Sequence, residues 1–121
     1  MYKVHEVPEM LKRLQVIVQD HVVYTKDNRH GDTYIAKDRI YPYTADLSRL
    51  ARLIAGPFEA EKVDIVIGPV VGGAILANRV AEHLSMWYGR NVFAVYADKE
   101  ADRFVVKREY GKFLKIGRAH V

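Results

Sequence analysis

"VDIVIGPVVGGAILA", residues Val63 to Ala77, is the stretch on which the fold turns. Its first half is β-branched and apolar apart from Asp64, the composition of a strand buried on both faces, as in a parallel sheet. The run breaks at Gly68-Pro69, passes Val70 and Val71, and reaches Gly72-Gly73 as a new periodicity starts. Ile75, Leu76, Val80, Ala81, Leu84 and Trp87 recur at helical spacing, which predicts a helix from Gly73 to about Tyr88. With strands expected over Val63–Gly68 and Asn91–Tyr96, the order is strand, helix, strand. That order implies a right-handed βαβ unit in a parallel sheet flanked by helices, and an α/β class.

Outward from this unit the pattern is less regular. Met10, Leu11, Leu14, Ile17 and Val18 predict an amphipathic helix from Pro8 to about Gln19. A short strand is expected over His21–Thr25, then a polar loop from Lys26 to Asp32, then extended chain from Tyr34 to Tyr41 ending at Pro42. Thr44 is a candidate N-cap for a helix carrying Leu47, Leu50, Ala51 and Ile54 on one face, stopped by Gly56-Pro57. Phe104–Arg108 reads as a further strand.

At 121 residues the chain is expected to form one domain with a modest core. Its longest apolar stretches fall well short of the roughly 20 residues of a membrane span, and the first residues lack the apolar segment of a secretory signal. There are no cysteines, so disulfides and thiolate metal sites are excluded; a cytoplasmic location fits this and no membrane partner is expected. The net charge is +4, and the basic residues gather late: Lys99, Arg103, Lys107, Arg108, Lys112, Lys115 and Arg118. Such a run serves an anionic ligand or RNA, or is a plain solvated face.

Ligands of open parallel sheets bind beyond the carboxyl ends of strands, where the next helix offers unbonded N–H groups and the positive end of its dipole. Pro69, Val70, Val71, Gly72 and Gly73 lie at that place. The absence of side chains at Gly72 and Gly73 would let a phosphate approach the main chain. It is neither the Gly-x-Gly-x-x-Gly dinucleotide fingerprint nor a P-loop, and a tight strand-to-helix turn explains paired glycines equally well.

Three segments in order carry a resemblance. "VDIVIGPVVGGAILANRVAEHL" resembles the first strand, diphosphate-binding loop and helix of type I phosphoribosyltransferases, the orotate phosphoribosyltransferases in particular. "HVVYTKDNRHGDTYIAKDRIYP" is similar to that family's N-terminal hood, and "VFAVYADKEADRFVVKREYGKFLK" to its strand with a Lys-Glu end leading into a mobile catalytic loop. The resemblance implies transfer of ribose 5-phosphate from phosphoribosyl diphosphate to orotate, with Mg2+ bound mainly through substrate and no metal ligands from the chain. It implies diphosphate binding by Pro69 to Gly73, with a non-proline cis peptide at Val70-Val71, and base binding by Lys26, Tyr34 and Ile35. Lys99, Arg103, Lys107 and Arg108 take the catalytic cations' places, with either Lys99 or the Lys107-Arg108 pair on the diphosphate. A homodimer is implied, and nucleic acid is not an expected partner. Some relatives carry lysine where this chain has Gly72, and Asp27-Asn28 replaces Ser-Gly in the hood loop.

By this resemblance residues 1–43 form helix and hood, and 44–115 form part of the transferase core with an incomplete sheet. An apolar strand, two acidic residues and a Thr-Thr-Gly-like loop for the 5-phosphate should follow "GKFLK"; the chain continues instead as "IGRAHV", residues 116–121. ATCGGAAGAGCACACGTC encodes those six residues and resembles a sequencing adapter, so the tail is expected to be non-native and the chain truncated and inactive by itself. Two rivals keep the fold: a transferase for another base, and a non-enzymatic regulator that binds RNA through its basic side. A third is a generic phosphate-binding βαβ domain.

Overall fold

The computed structural model describes residues 7–15, 17–23, 30–35, 37–114 and 119–120, of which 17–23, 30–35, 37, 108 and 119–120 are described by their backbone. Two compact units divide it, Met1–Asp46 and Leu47–Val121.

In the first unit, helix α1 (Val7–Arg13) is followed by an antiparallel pair, β1 (Ile17–Val23) and β2 (His30–Ile35). The helix is shorter than the periodicity predicts. Gln15 takes a left-handed conformation, φ 58°, and its N–H closes a tight final turn on the Lys12 carbonyl, so the chain leaves the helix axis there. Ile17 and Val18, which fit the helical pattern, are β-branched and serve β1 instead. β2 begins at His30, so His30 to Asp32 are strand rather than loop. The expected extended run to Tyr41 ends at Ile35, giving way to a 3-10 turn over Lys37–Arg39. Arg39 holds that turn by donating to the Gln15 carbonyl at 2.7 Å, and Arg13 pairs with Asp46 at 3.0 Å. Met10, Leu14 and Ile40 are buried.

The second unit is built on the βαβ element. Helix α2 (Thr44–Ala55), which starts at Thr44 itself, feeds a 3-10 turn over Gly56–Phe58, then β3 (Ile65–Pro69), α3 (Gly72–Tyr88) and β4 (Phe93–Glu100). β3 and β4 pair in parallel from Ile65 opposite Phe93 to Pro69 opposite Ala97, as expected. β4 runs four residues past the predicted Tyr96 because β5 (Arg103–Val106) folds back on it as an antiparallel hairpin. Arg108 lies in a 3-10 turn over Arg108–Tyr110, not in that strand, and the short helix α4 (Gly111–Leu114) follows. A two-residue strand, β6 (Ala119–His120), pairs in parallel with Ile65 and Val66, so part of the tail does continue the sheet, in the order β5-β4-β3-β6.

The core sits between this sheet and its helices. Ala51, Ala55, Val63, Val66, Ala77, Val80, Ala81, Leu84 and Val92 form one buried cluster, and Trp87 and Tyr88 pack on its margin. Burying Leu84 alone contributes about 1.5–3 kcal/mol. At the carboxyl end of α3 Gly89 turns left-handed, φ 69°, and donates to the Ser85 carbonyl. Ser85 Oγ accepts from the Val92 N–H at 2.8 Å and donates to the Ala81 carbonyl, which fixes where β4 starts. Arg90 fastens the same end through the Val63 carbonyl and Asp64. No helix among the described residues is long and apolar enough to cross a membrane.

Candidate anion site at the end of β3

The central stretch folds as its glycines require. At Gly68 an added Cβ would lie 2.0 Å from the Gly73 carbonyl oxygen and 2.8 Å from Ala77 Cβ; at Gly73 it would meet the Pro69 ring at 2.6 Å. Strand end and helix start therefore cross with no room for a side chain. Sequence reasoning singles out Gly72 and Gly73 as open to a ligand, but Gly73's missing Cβ accommodates Pro69. Gly68, noted only as a break in the apolar run, is the tightest position described; its place two residues before a helix-starting turn was the available signal.

Between the glycines the Val70-Val71 peptide is cis, as the resemblance implies. The Val70 N–H donates to the Ala97 carbonyl at 3.0 Å, tying the loop to β4. α3 has no side-chain N-cap; Ala74 and Ile75 N–H both turn back to the Val71 carbonyl. The N–H groups of Gly72 and Gly73 have no acceptor among the described residues. Two open amides at the start of a 17-residue helix, on a turn whose Val71 is 73% exposed, combine the hydrogen-bond donors and the positive dipole end that favour an oxyanion.

The expected cations separate by strand register. Gly68 points to α3 and pairs with Tyr96, so Tyr96 and, two residues on, Asp98 share the α3 face. Lys107, one residue past the Ala97–Val106 pair, comes opposite Tyr96, and its Nζ lies 3.5 Å from Asp98 Oδ2 and 5.5 Å from the Tyr96 ring centre. Arg103 sits opposite Glu100 on that same face. Lys99, opposite Phe104, is on the other. Arg103 is thus a hairpin-strand residue rather than part of an extended loop, because Glu100 and Arg103 close the ladder around a turn at Ala101-Asp102, where Ala101 has φ 56°. The side chains of Lys99 and Arg103 are exposed. Arg108 is placed by backbone alone.

Hydrogen bonding to the Tyr96 side chain, then the Asp98 carboxylate, raises the Lys107 pKa, keeping it protonated. Tyr110 stacks edge-on against Tyr96, ring centres 5.3 Å apart, and its own pKa is raised first by hydrogen bonding to Tyr96. These neighbours were not singled out from sequence.

The expected base-binding residues fall in the first unit. Tyr34 and Ile35 occupy β2, paired with Val18 and Ile17; Lys26 lies outside the described residues. Behind the β3–α3 turn, an apolar cavity of about 210 Å³ lies among Ile54, Phe58, Leu76 and Val80 and reaches Gly68; its lining offers little to a charged ligand. No group of three metal-ligating side chains occurs among the described residues.

Comparison with known proteins bears on the fold and the family resemblance. An orotate phosphoribosyltransferase of Caldanaerobacter subterraneus subsp. tengcongensis is 30% identical over 105 residues, 87% of this chain and 52% of the relative. Another, from Bartonella henselae, is 29% identical over 109 residues, 85% of this chain and 54% of the relative. The chain resembles the orotate phosphoribosyltransferases. Crystal structures of such transferases superpose with TM-scores of 0.61 for Mycobacterium tuberculosis (19% identity, 85% of this chain and 59% of that one) and 0.60 for Aeropyrum pernix (20%, 84% and 56%). The fold is that of a type I phosphoribosyltransferase with a small, incomplete sheet. No family profile matches, and the chain spans about half the length of the curated orotate phosphoribosyltransferases it matches.

Proposed function

We propose that the protein serves orotate phosphoribosyl transfer: ribose 5-phosphate passes from phosphoribosyl diphosphate to orotate, giving orotidine 5′-phosphate and diphosphate for pyrimidine nucleotide synthesis. The observation that carries this reading is the pair of open amides, Gly72 and Gly73, at the start of α3, in a chain similar to orotate phosphoribosyltransferases over 87% of its length.

In the proposed reaction the bond between ribose C1′ and the diphosphate oxygen breaks, the electron pair leaves with diphosphate, and a ring nitrogen of orotate bonds C1′ while its N–H proton is released to the departing diphosphate or to water. Charge grows on the departing oxygens. Fixed amides and cations aimed at those oxygens lower the barrier because they need no reorganisation as the charge develops. Gly72 and Gly73 would hold one end of the diphosphate, and Lys107 and Arg103, on the α3 face, would neutralise the leaving charge, with Lys99 and Arg108 as further cations of the hairpin region. Lys26, Tyr34 and Ile35 would contact the base. Mg2+ would arrive bound to the diphosphate, whose oxygens are the hard ligands it prefers. A cytoplasmic homodimer belongs to the same reading.

Spanning about half of its relatives, the 121-residue chain is proposed to bind the diphosphate group without turnover. The test is a protein expressed from the source locus read past the codon for Lys115, assayed for base-dependent diphosphate release. Release that requires orotate supports the reading. Release with a purine or another pyrimidine instead replaces the base. No release, together with RNA affinity that falls steeply with salt, favours the RNA-binding regulator.

A further inference from the structure

Of the four cations expected to act on the diphosphate, Lys107 has well-defined neighbours. Its Nζ is held by the Asp98 carboxylate at 3.5 Å and lies over the Tyr96 ring, which Tyr110 braces from the side. Register fixes where this group stands. Gly68, Tyr96 and Lys107 follow one another across β3, β4 and the end of β5 on the face that carries α3. Two strand spacings, about 10 Å, separate Lys107 from Gly68, and β4 between them is tied to the loop by the Val70–Ala97 hydrogen bond. A lysine stem loses much rotamer freedom on binding an anion, and a carboxylate and ring that limit that freedom beforehand reduce the loss.

Resting on the diphosphate-site reading above, we infer that Asp98 and Tyr96 are positioning residues: they hold Lys107 on the α3 face of the sheet, two strands from the turn that leads to the open amides of Gly72 and Gly73, so that it meets the diphosphate. A carboxylate is an improbable helper for an anion site on charge alone, and that makes the inference testable by sign. Removing Asp98's charge strengthens diphosphate binding if only Coulomb forces operate, and weakens it if Asp98 positions Lys107.

The experiment is calorimetric titration of the 121-residue chain with inorganic diphosphate at fixed ionic strength, with circular dichroism to check that each variant is folded. Lys107→Ala should weaken binding about tenfold, the worth of one charge-assisted contact. Asp98→Asn should weaken it about threefold or more and Tyr96→Phe by a smaller factor. Asp98→Glu, which keeps the charge, should recover part of the loss. In the Lys107→Ala background Asp98→Asn should weaken binding no further, since there is no ammonium left to hold. Tighter binding by Asp98→Asn, or equal weakening with and without Lys107, overturns the inference and leaves the diphosphate site standing. Failure of the unsubstituted chain to bind diphosphate overturns both.

Discussion

Substituting Gly68 by alanine is the sharpest perturbation of the site that leaves every charge in place. The new Cβ would sit 2.0 Å from the Gly73 carbonyl oxygen, 2.5 Å from its carbon and 2.8 Å from Ala77 Cβ. An ordinary carbon–oxygen contact is about 3.3–3.6 Å, so strand end and helix start must part by more than about 1 Å. The clashing atoms include the backbone of α3's first turn, which has no rotamer by which to yield. Overpacking of this kind costs typically 1–3 kcal/mol and occasionally more, and a backbone clash belongs at about 3 kcal/mol. At about 4 °C per kcal/mol for a chain of this size, Tm should fall by about 12 °C. Because the displaced turn carries the Gly72 and Gly73 amides, diphosphate affinity should fall with it, even under conditions where the variant remains folded. Gly56→Ala is the control: nothing lies within 4 Å of its added Cβ, and it should leave Tm unchanged or raise it slightly. Thermal melts and diphosphate titration of both variants decide the matter. A Gly68→Ala chain with unchanged Tm and unchanged affinity would refute the claim that this crossing builds the site.

The other expectations concern the scaffold and its titration. Leu84→Ala, at 1% exposure in the core cluster, should lose about 2–5 kcal/mol in denaturant unfolding. Ser85→Ala removes the acceptor of the Val92 N–H and should lose about 1–2 kcal/mol, with faster amide exchange at Val92 as the local readout. Lys107, Tyr110 and Tyr41 all have raised pKa values, the last through burial and then Asp38. A raised value means the protonated form is favoured by folding. Their contribution is therefore complete below the ordinary values of about 10–10.5 and disappears as pH rises through the folded ones. Tm measured from about pH 9 to about pH 11 should fall on the alkaline side. Tyr96→Phe should reduce the part of that fall due to Lys107 and Tyr110 while leaving Tyr41's.

How far sequence reaches depends on which interaction decides each element. The βαβ unit was legible because its two periods are unambiguous: a β-branched run cannot pack as the amphipathic helix that follows, and the boundary is marked by glycines. The N-terminal region was not. Ile17 and Val18 satisfy a helical stripe and a strand equally, and the deciding event is the left-handed turn at Gln15, which no glycine or asparagine announces. The extension of β4 to Glu100 is a pairing with β5, a non-local contact that composition does not reveal. For the candidate site, chemistry by residue type points to the loop between β3 and α3, whereas the distribution of the cations over two faces depends on register. A shift of one residue would exchange Lys99 with its neighbours Asp98 and Glu100, and nothing local to Lys99 sets that register.

That register also explains why the site belongs to the sheet as a whole rather than to the glycine turn. The Val70 N–H and the Ala97 carbonyl join the turn to β4 at the last pair of the parallel ladder, Pro69 opposite Ala97. One residue beyond Ala97 on the same strand is Asp98, which holds Lys107. Amides and ammonium are thus positioned from adjacent residues of one strand, so displacement of β4 moves both donors together. A loop held only by its own turn would leave the cation to find the anion independently. The ladder thus fixes, through the backbone, how far the turn stands from the strand position that bears Lys107.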